Sequence, residues 1–212
     1  MLVPDSASMD RFLVACNRRR YGNKTTIIEP GDPANILYYV INGSLTVSSE
    51  GEEGRELVLA YLSPGEFIGE MGLFMESSRR EVTVRTRTAC ELAEISYDRM
   101  FKLLAGPLRE ECPKILFAIG AQLTHRLLHT SRKASRLAFM DVAGRIAKTL
   151  LDLVEEPNAV DHPRGRQTRI SRQELSRIVG CSREMAGRVL KQLEGQGMIA
   201  VSGKNIVVLR DR

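Results

Sequence analysis

Two periodicities divide the 212-residue chain. From about Arg18 to Tyr97, apolar residues fall in short runs or alternate with polar ones, and glycine or proline separates the runs. That is the pattern of β-strands, whose side chains point to opposite faces in turn. Leu37-Tyr-Tyr-Val-Ile41 runs into Asn42-Gly43, a strong turn dipeptide, and Ser44-Leu-Thr-Val47 alternates behind it. Glu56–Leu62 ends at Ser63-Pro64-Gly65, while Glu81–Arg85 and Cys90–Ile95 each alternate with period two. Many short strands at even spacing predict an antiparallel sandwich or barrel.

The period changes after Pro113. Leu116, Gly120, Leu123, Leu127, Thr130, Ala134 and Leu137 are spaced alternately four and three apart, a heptad seam sustained over three repeats. Small or polar members such as Gly120 and Thr130 keep the seam narrow. It suits a helix paired with its own copy, so a C2 homodimer is expected; the alternative is a helix laid along the β-domain. Beyond the Ala138-Phe-Met-Asp141 junction, Val142–Val154 reads as an amphipathic helix and Glu155–Gly165 as a surface loop. Met198–Leu209 reads as a hairpin turning at Ser202-Gly203-Lys204-Asn205. The expected division is a β-domain over 1–109, a long helix over 110–137 and a helical domain over 138–212.

Ser171–Glu194 carries the most specific local pattern. Ser171 and Glu174 form an S-x-x-E capping box that starts a short helix with the apolar face Leu175, Ile178 and Val179. Gly180 suits the left-handed residue that ends it, and Ser182 caps a second helix with the expected buried stripe Met185, Ala186, Val189, Leu190 and Leu193. Two short helices joined by a glycine turn predict a helix-turn-helix, whose second helix enters the DNA major groove by its first turns. Arg183, Glu184 and Arg188 are the polar residues left there. Arginine can donate bidentately to guanine, and glutamate can accept from cytosine N4. Arg169, Arg172, Gln173, Ser182, Lys191 and Lys204 surround them as candidate backbone contacts.

Charge supports this and composition narrows the rest. Of the net charge of +5, residues 1–137 carry 18 Lys/Arg against 17 Asp/Glu, and residues 138–212 carry 13 against 9. The basic excess therefore sits with the helix-turn-helix, as a polyanion partner requires. Cys16, Cys90, Cys112 and Cys181 lie far apart without a C-x-x-C pair, so neither a disulfide framework nor a metal clip is expected. His125 and His129 have no third ligand nearby and read as a solvated helix face. Residues 1–124 contain no histidine, which argues against a metal-dependent β-barrel oxygenase and against an enzyme generally. Met1–Asp10 has neither a basic start nor an apolar segment, so no secretory signal is expected, and no apolar run is long enough for a membrane span. The expected compartment is the cytoplasm.

A second chemical pattern is Gly65-Glu-Phe-Ile-Gly-Glu-Met-Gly-Leu-Phe74, followed by Arg79-Arg-Glu-Val82. Closely spaced glycines expose backbone N–H groups to an anion, Glu70 can accept from a sugar hydroxyl, and an arginine ten residues on can clamp a phosphate. Glycine at ordinary β-turns is the alternative.

The block from Arg172 to Val208, with its VGCSREMAGRVLKQLE core and GKNIVV wing, resembles the winged helix-turn-helix of the cyclic-AMP receptor (catabolite activator)/FNR superfamily. The resemblance covers nearly the whole chain after about residue 12. It implies an α+β fold: an N-terminal β jelly-roll domain of the cyclic-nucleotide-binding type, a long dimerisation helix and a C-terminal winged helix-turn-helix domain. It also implies a dimeric transcription regulator that activates or represses, with double-stranded DNA, a nucleotide second messenger and RNA polymerase as partners. Residues matching Arg183, Glu184 and Arg188 read TGTGA-type palindromic half-sites in that family. Its phosphate cassette places Gly69, Glu70 and Met71 at phosphate and ribose, Arg80 at the phosphate, and Thr130 and Ser131 at the base.

Glu81 departs from the pattern, because cyclic-AMP responders carry a small hydroxyl residue or alanine there. A carboxylate about 4 Å from a phosphate oxygen is repulsive by about 1 kcal/mol in water and about 4 kcal/mol at an effective dielectric of 20. The larger figure is roughly a thousandfold in affinity. Glu81 also offers a partner to Arg79 or Arg80. With the TRTACELAEISY and RKASRLAF segments, it looks like the CAP-like global regulator branch of the family, in which cyclic di-GMP weakens DNA binding. Cyclic di-GMP is therefore the leading ligand expectation and cyclic AMP the alternative.

Overall fold

The computed structural model describes residues 6–51, 54, 56–75, 79–156 and 159–209. The first five residues of the stretch weighed as a signal, and Pro157 and Asn158 of the expected loop, lie outside them. The elements in order are α1 (Ser6–Val14), β1 (Asn17–Tyr21), β2 (Thr26–Ile28), β3 (Ile36–Asn42), β4 (Leu45–Glu50), β5 (Glu56–Leu62), β6 (Phe67–Ile68), β7 (Thr83–Thr86), β8 (Cys90–Ser96), α2 (Tyr97–Ala105) and α3 (Cys112–Phe139). They continue with α4 (Val142–Glu155), β9 (Val160–His162), β10 (Gly165–Arg169), α5 (Arg172–Val179), α6 (Arg183–Gly195), β11 (Ile199–Ser202) and β12 (Asn205–Leu209). The chain divides into two compact units, Met1–Ser49 with Leu59–Thr130, and Glu50–Val58 with Ser131–Arg212. The division falls inside α3.

The first unit contains the sheet β1-β8-β3-β6, and β2, β7 and β4 form a second sheet that continues into β5. Strand β3 explains why its sequence is apolar without alternation: both of its faces are covered. Leu37 joins Met9, Phe12, Phe67, Ile95, Met100, Ile115 and Ile119 in one core. Tyr38 and Val40, on the opposite face, join Ile28, Leu45, Leu62, Ile68, Val84 and Leu92 in another. Helices α1 and α2 carry no strong sequence signal, yet each lays a narrow stripe on the first core, Met9 and Phe12 from α1 and Tyr97, Met100 and Leu104 from α2. Strand β7 begins at Thr83, so Glu81 lies outside it and is exposed.

Helix α3 packs one face on this unit through Ile115 and Ile119, both fully buried. One turn further, Gln122 makes a two-way bond with β6: the Phe67 N–H donates to Gln122 Oε1 at 2.7 Å, and Gln122 Nε2 donates to Phe67 O at 2.9 Å. The seam positions form a different face. Leu116 and Leu127 are 37% and 67% exposed, Gly120 and Leu123 are half-buried, and Thr130, Ala134 and Leu137 are exposed.

In the second unit, α4, α5 and α6 close over the sheet β11-β12-β10-β9. Asp141 caps α4 by accepting from Gly144 N–H at 2.8 Å. The core unites Ile146 and Leu150 of α4, Leu175 and Val179 of α5, Ala186, Val189, Leu190 and Leu193 of α6, and Ile199 and Ile206 of the hairpin. The expected loop Glu155–Gly165 is corrected here: it contains β9 and leads into β10, paired with each other and, through β10, with β12. Strand β10 reads Gly-Arg-Gln-Thr-Arg and buries Gly165 and Thr168, so it has no apolar alternation to betray it. Within this unit Glu56 pairs with Arg177 of α5, and Lys133 Nζ donates to Val58 O. Burial pulls the Lys133 ammonium down to about 8 from its ordinary value.

Candidate DNA-reading face and nucleotide pocket

The helix-turn-helix is assembled by the local signals that announced it. Ser171 Oγ accepts from Glu174 N–H at 3.1 Å and starts α5. Gly180 ends it in the left-handed region (φ 74°, ψ 52°), donating its N–H to Ser176 O at 2.9 Å. Ser182 Oγ accepts from Met185 N–H at 3.1 Å and starts α6. Because Ala186, Val189, Leu190 and Leu193 are buried, the remaining positions of α6 face outward. Arg183, Glu184, Arg188 and Lys191 lie on this outward side, and Arg169, Arg172, Gln173, Ser182 and Lys204 lie around it. Arg172 reaches across to α6, where a side chain at Gly187 would meet its Cδ at 3.7 Å. Met185 departs from the expected buried stripe: it is 39% exposed. Four apolar positions spaced three, one and three apart already fill the core against α4 and α5, and Met185 falls at the margin of that face.

The glycine loop turns on Gly69, which has φ 85° and leads into a 3-10 helix over Glu70–Leu73. A Cβ at Gly69 would lie 2.7 Å from Arg80 Nη1 and 2.8 Å from Ile36 O, so only glycine fits. Arg80 occupies the space so created. Its Nη1 donates to Tyr97 Oη at 3.2 Å and Gly69 O at 3.4 Å, and its Nη2 donates to Ile36 O at 2.5 Å. Tyr97 Oη itself donates to Gly69 O. Desolvation by burial raises the Tyr97 phenol, with Arg80 pulling the other way, so the hydroxyl stays a donor. Glu70, 3% exposed, receives Arg126 Nη1 at 2.5 Å, while Arg126 Nη2 donates to Phe67 O at 2.7 Å. Arg126 Nε is buried without a hydrogen-bond partner among the described residues.

Residues 18–106 match the family model of the cyclic nucleotide-binding domain, and residues 144–212 that of the Crp-like helix-turn-helix domain. The chain is 57% identical over 211 residues to the CRP-like protein Clp of Xanthomonas euvesicatoria pv. vesicatoria, covering 100% of this chain and 92% of that protein. The chain belongs to the CRP-like Clp family. Its relative in Xanthomonas campestris pv. campestris is 56% identical over the same span, 100% of this chain and 92% of that protein. A solved structure described as the c-di-GMP-responsive global regulator CLP of Xanthomonas campestris, linking cell–cell signalling to virulence gene expression, superposes with TM-score 0.93 at 56% identity. It covers 98% of this chain and 100% of that one. A CRP/FNR-family transcriptional regulator of Thermus thermophilus superposes with TM-score 0.72 at 26% identity, covering 92% and 94%.

Membership of the Clp family makes the chain a CRP-like transcription regulator with a cyclic nucleotide-binding domain and a helix-turn-helix domain. Among the described residues, no helix is long and apolar enough to cross a membrane. The structure brings Gly69, Glu70 and Arg80 together, with Met71 58% exposed on the outer side of the turn. It does not pair Arg80 with Glu81; the main-chain carbonyls of Ile36 and Gly69 take that guanidinium instead. Thr130 and Ser131 are exposed on α3. Sequence reasoning missed two residues, Tyr97 and Arg126, because each acts on the cassette from a helix remote in the chain. The i, i+4 spacing of Gln122 and Arg126 on the Ile115/Ile119 face was the one available hint. A groove of about 630 Å3 beside the wing, lined by His162, Arg164, Gln167 and Glu194 among others, includes none of the expected base readers.

Proposed function

We propose that the protein is a homodimeric global transcription regulator that reads TGTGA-type palindromic DNA and is controlled allosterically by a nucleotide second messenger. Cyclic di-GMP weakens its DNA binding. The observation that carries the reading is the joint placement of Arg183, Glu184 and Arg188 on the first turns of α6, away from its buried stripe. Two copies joined along the α3 seam present two such helices, and the exposure of Leu116 and Leu127 supports that pairing. Residues 1–109 sense, 110–137 dimerise and 138–212 read DNA. RNA polymerase is the downstream partner and the cytoplasm the compartment.

The self-satisfied cassette supports activity without a nucleotide. A cyclic nucleotide's phosphate would have to draw Arg80 away from Ile36 O, Gly69 O and Tyr97 Oη. The c-di-GMP response described for the Xanthomonas campestris relative supports the ligand. The match of residues 18–106 to a cyclic nucleotide-binding domain favours a second reading, activation by cyclic AMP.

Fluorescence anisotropy at fixed salt, with palindromic and scrambled duplexes, tests both readings. Tight palindrome binding by the protein alone, weakened by cyclic di-GMP and unchanged by cyclic AMP, supports the first. Binding that appears only with cyclic AMP supports the second. Equal affinity for both duplexes under every condition refutes sequence-specific reading.

A further inference from the structure

We propose that Met185 is a further specificity residue of α6, which holds its thioether against the C5-methyl group of a thymine beside the base read by Arg188. The inference rests on the DNA-reading role assigned to α6 above. Three observations carry it. The Met185 amide is the one that Ser182 caps, at 3.1 Å, which places the residue in the first turn, the part of such a helix that goes deepest into the groove. Its side chain is 39% exposed, although Ala186, Val189, Leu190 and Leu193 around it are buried. It stands three residues before Arg188, and Glu184 four before it, so each neighbours Arg188 on the exposed side of the helix.

An unbranched thioether on that surface matches one chemistry. The thymine methyl is the only methyl group that the four unmodified bases present in the major groove, and cytosine carries just a hydrogen at the same carbon. Methionine is flexible and polarizable, so it can meet a methyl without demanding a fixed rotamer. The arginines and glutamate beside it recognise hydrogen-bonding edges and leave thymine indistinct from other acceptors. Met185 supplies the missing discrimination.

The test uses full-length protein and half-site duplexes in which each thymine in turn is replaced by deoxyuridine, which removes only the methyl. The native protein should lose about fourfold in affinity at one thymine, the worth of a methyl group taken out of water. Met185→Ala should bind the thymine and uracil duplexes equally, and Met185→Leu should keep the preference. Melting curves check that each variant is folded. Equal binding of all thymine and uracil duplexes, with preference over scrambled DNA intact, overturns the role of Met185 and leaves α6 as the reader. So does a Met185→Ala loss of the same size on both duplexes, the mark of a sugar contact. Loss of preference over scrambled DNA by the native protein overturns the α6 assignment itself.

Discussion

Arg126 is the residue whose removal should reveal most about the cassette. Glu70 is 3% exposed and Arg126 23%, and their closest atoms lie 2.5 Å apart. Replacing Arg126 by methionine keeps the stem and removes the only cation within bonding distance of a buried carboxylate among the described residues of the cassette. Breaking a buried pair from one side costs about 3–5 kcal/mol, and the partial exposure of Arg126 favours about 3. In a chain of this size that corresponds to roughly 6–12 °C in Tm. Pairing the change with Glu70→Gln removes the stranded charge. The double variant should recover about 2 kcal/mol, leaving the lost bond to Phe67 O and an amide without its donor. The assay is urea unfolding of the four proteins, followed by hydrogen exchange in peptides covering Phe67 and Gln122, so that the loss is localised to the first unit. Additive single effects, with coupling below about 0.5 kcal/mol, would refute the claim that Arg126 holds Glu70 in place.

Arg183→Ala should abolish half-site preference while leaving salt-sensitive binding to random duplexes; equal losses on both, measured by anisotropy, count against base reading. Gly180→Ala should cost about 1–2 kcal/mol in urea unfolding, because φ is +74° and the new Cβ would stand 3.2 Å from Leu57 Cδ1. Glu81→Ser should improve cyclic AMP binding by at most about fivefold in calorimetry, since an exposed carboxylate repels phosphate with the solvent-screened value near 1 kcal/mol. A thousandfold gain would mean that Glu81, rather than the bonds held by Arg80, excludes the ligand. Lys133 has its folded value lowered to about 8, against 10.5 ordinarily, so the folded protein holds fewer protons between those limits. Its contribution to stability is therefore lost as pH falls through 8 and present above 10.5. Lys133→Met should remove this rise from the pH dependence of the urea midpoint, and parallel curves for the two proteins would dismiss it.

The helix-turn-helix was legible almost residue by residue, because Ser171, Gly180 and Ser182 act through backbone groups no more than five positions away. Met185 was misplaced for a related reason: a spacing rule cannot know how many apolar positions a groove has room for. Strand β10 escaped notice because its buried residues are glycine and threonine. Helices α1 and α2 were passed over because each contributes only two or three core side chains. The cassette was visible as glycines and charges, yet its arrangement was not. Glu81 was offered as a partner to Arg79 or Arg80, and Arg80 instead meets carbonyls supplied by β3 and the Gly69 turn.

Sequence alone determined the two capped helices of the helix-turn-helix, the period of α3 and the family. Tertiary structure decided how the buried charges are satisfied. Glu70 meets a cation from 56 positions away and Arg80 a carbonyl from 44 positions away, partners that exist only once sheets and helices have packed. A buried charge must find a partner somewhere in the fold, and chain order does not say where.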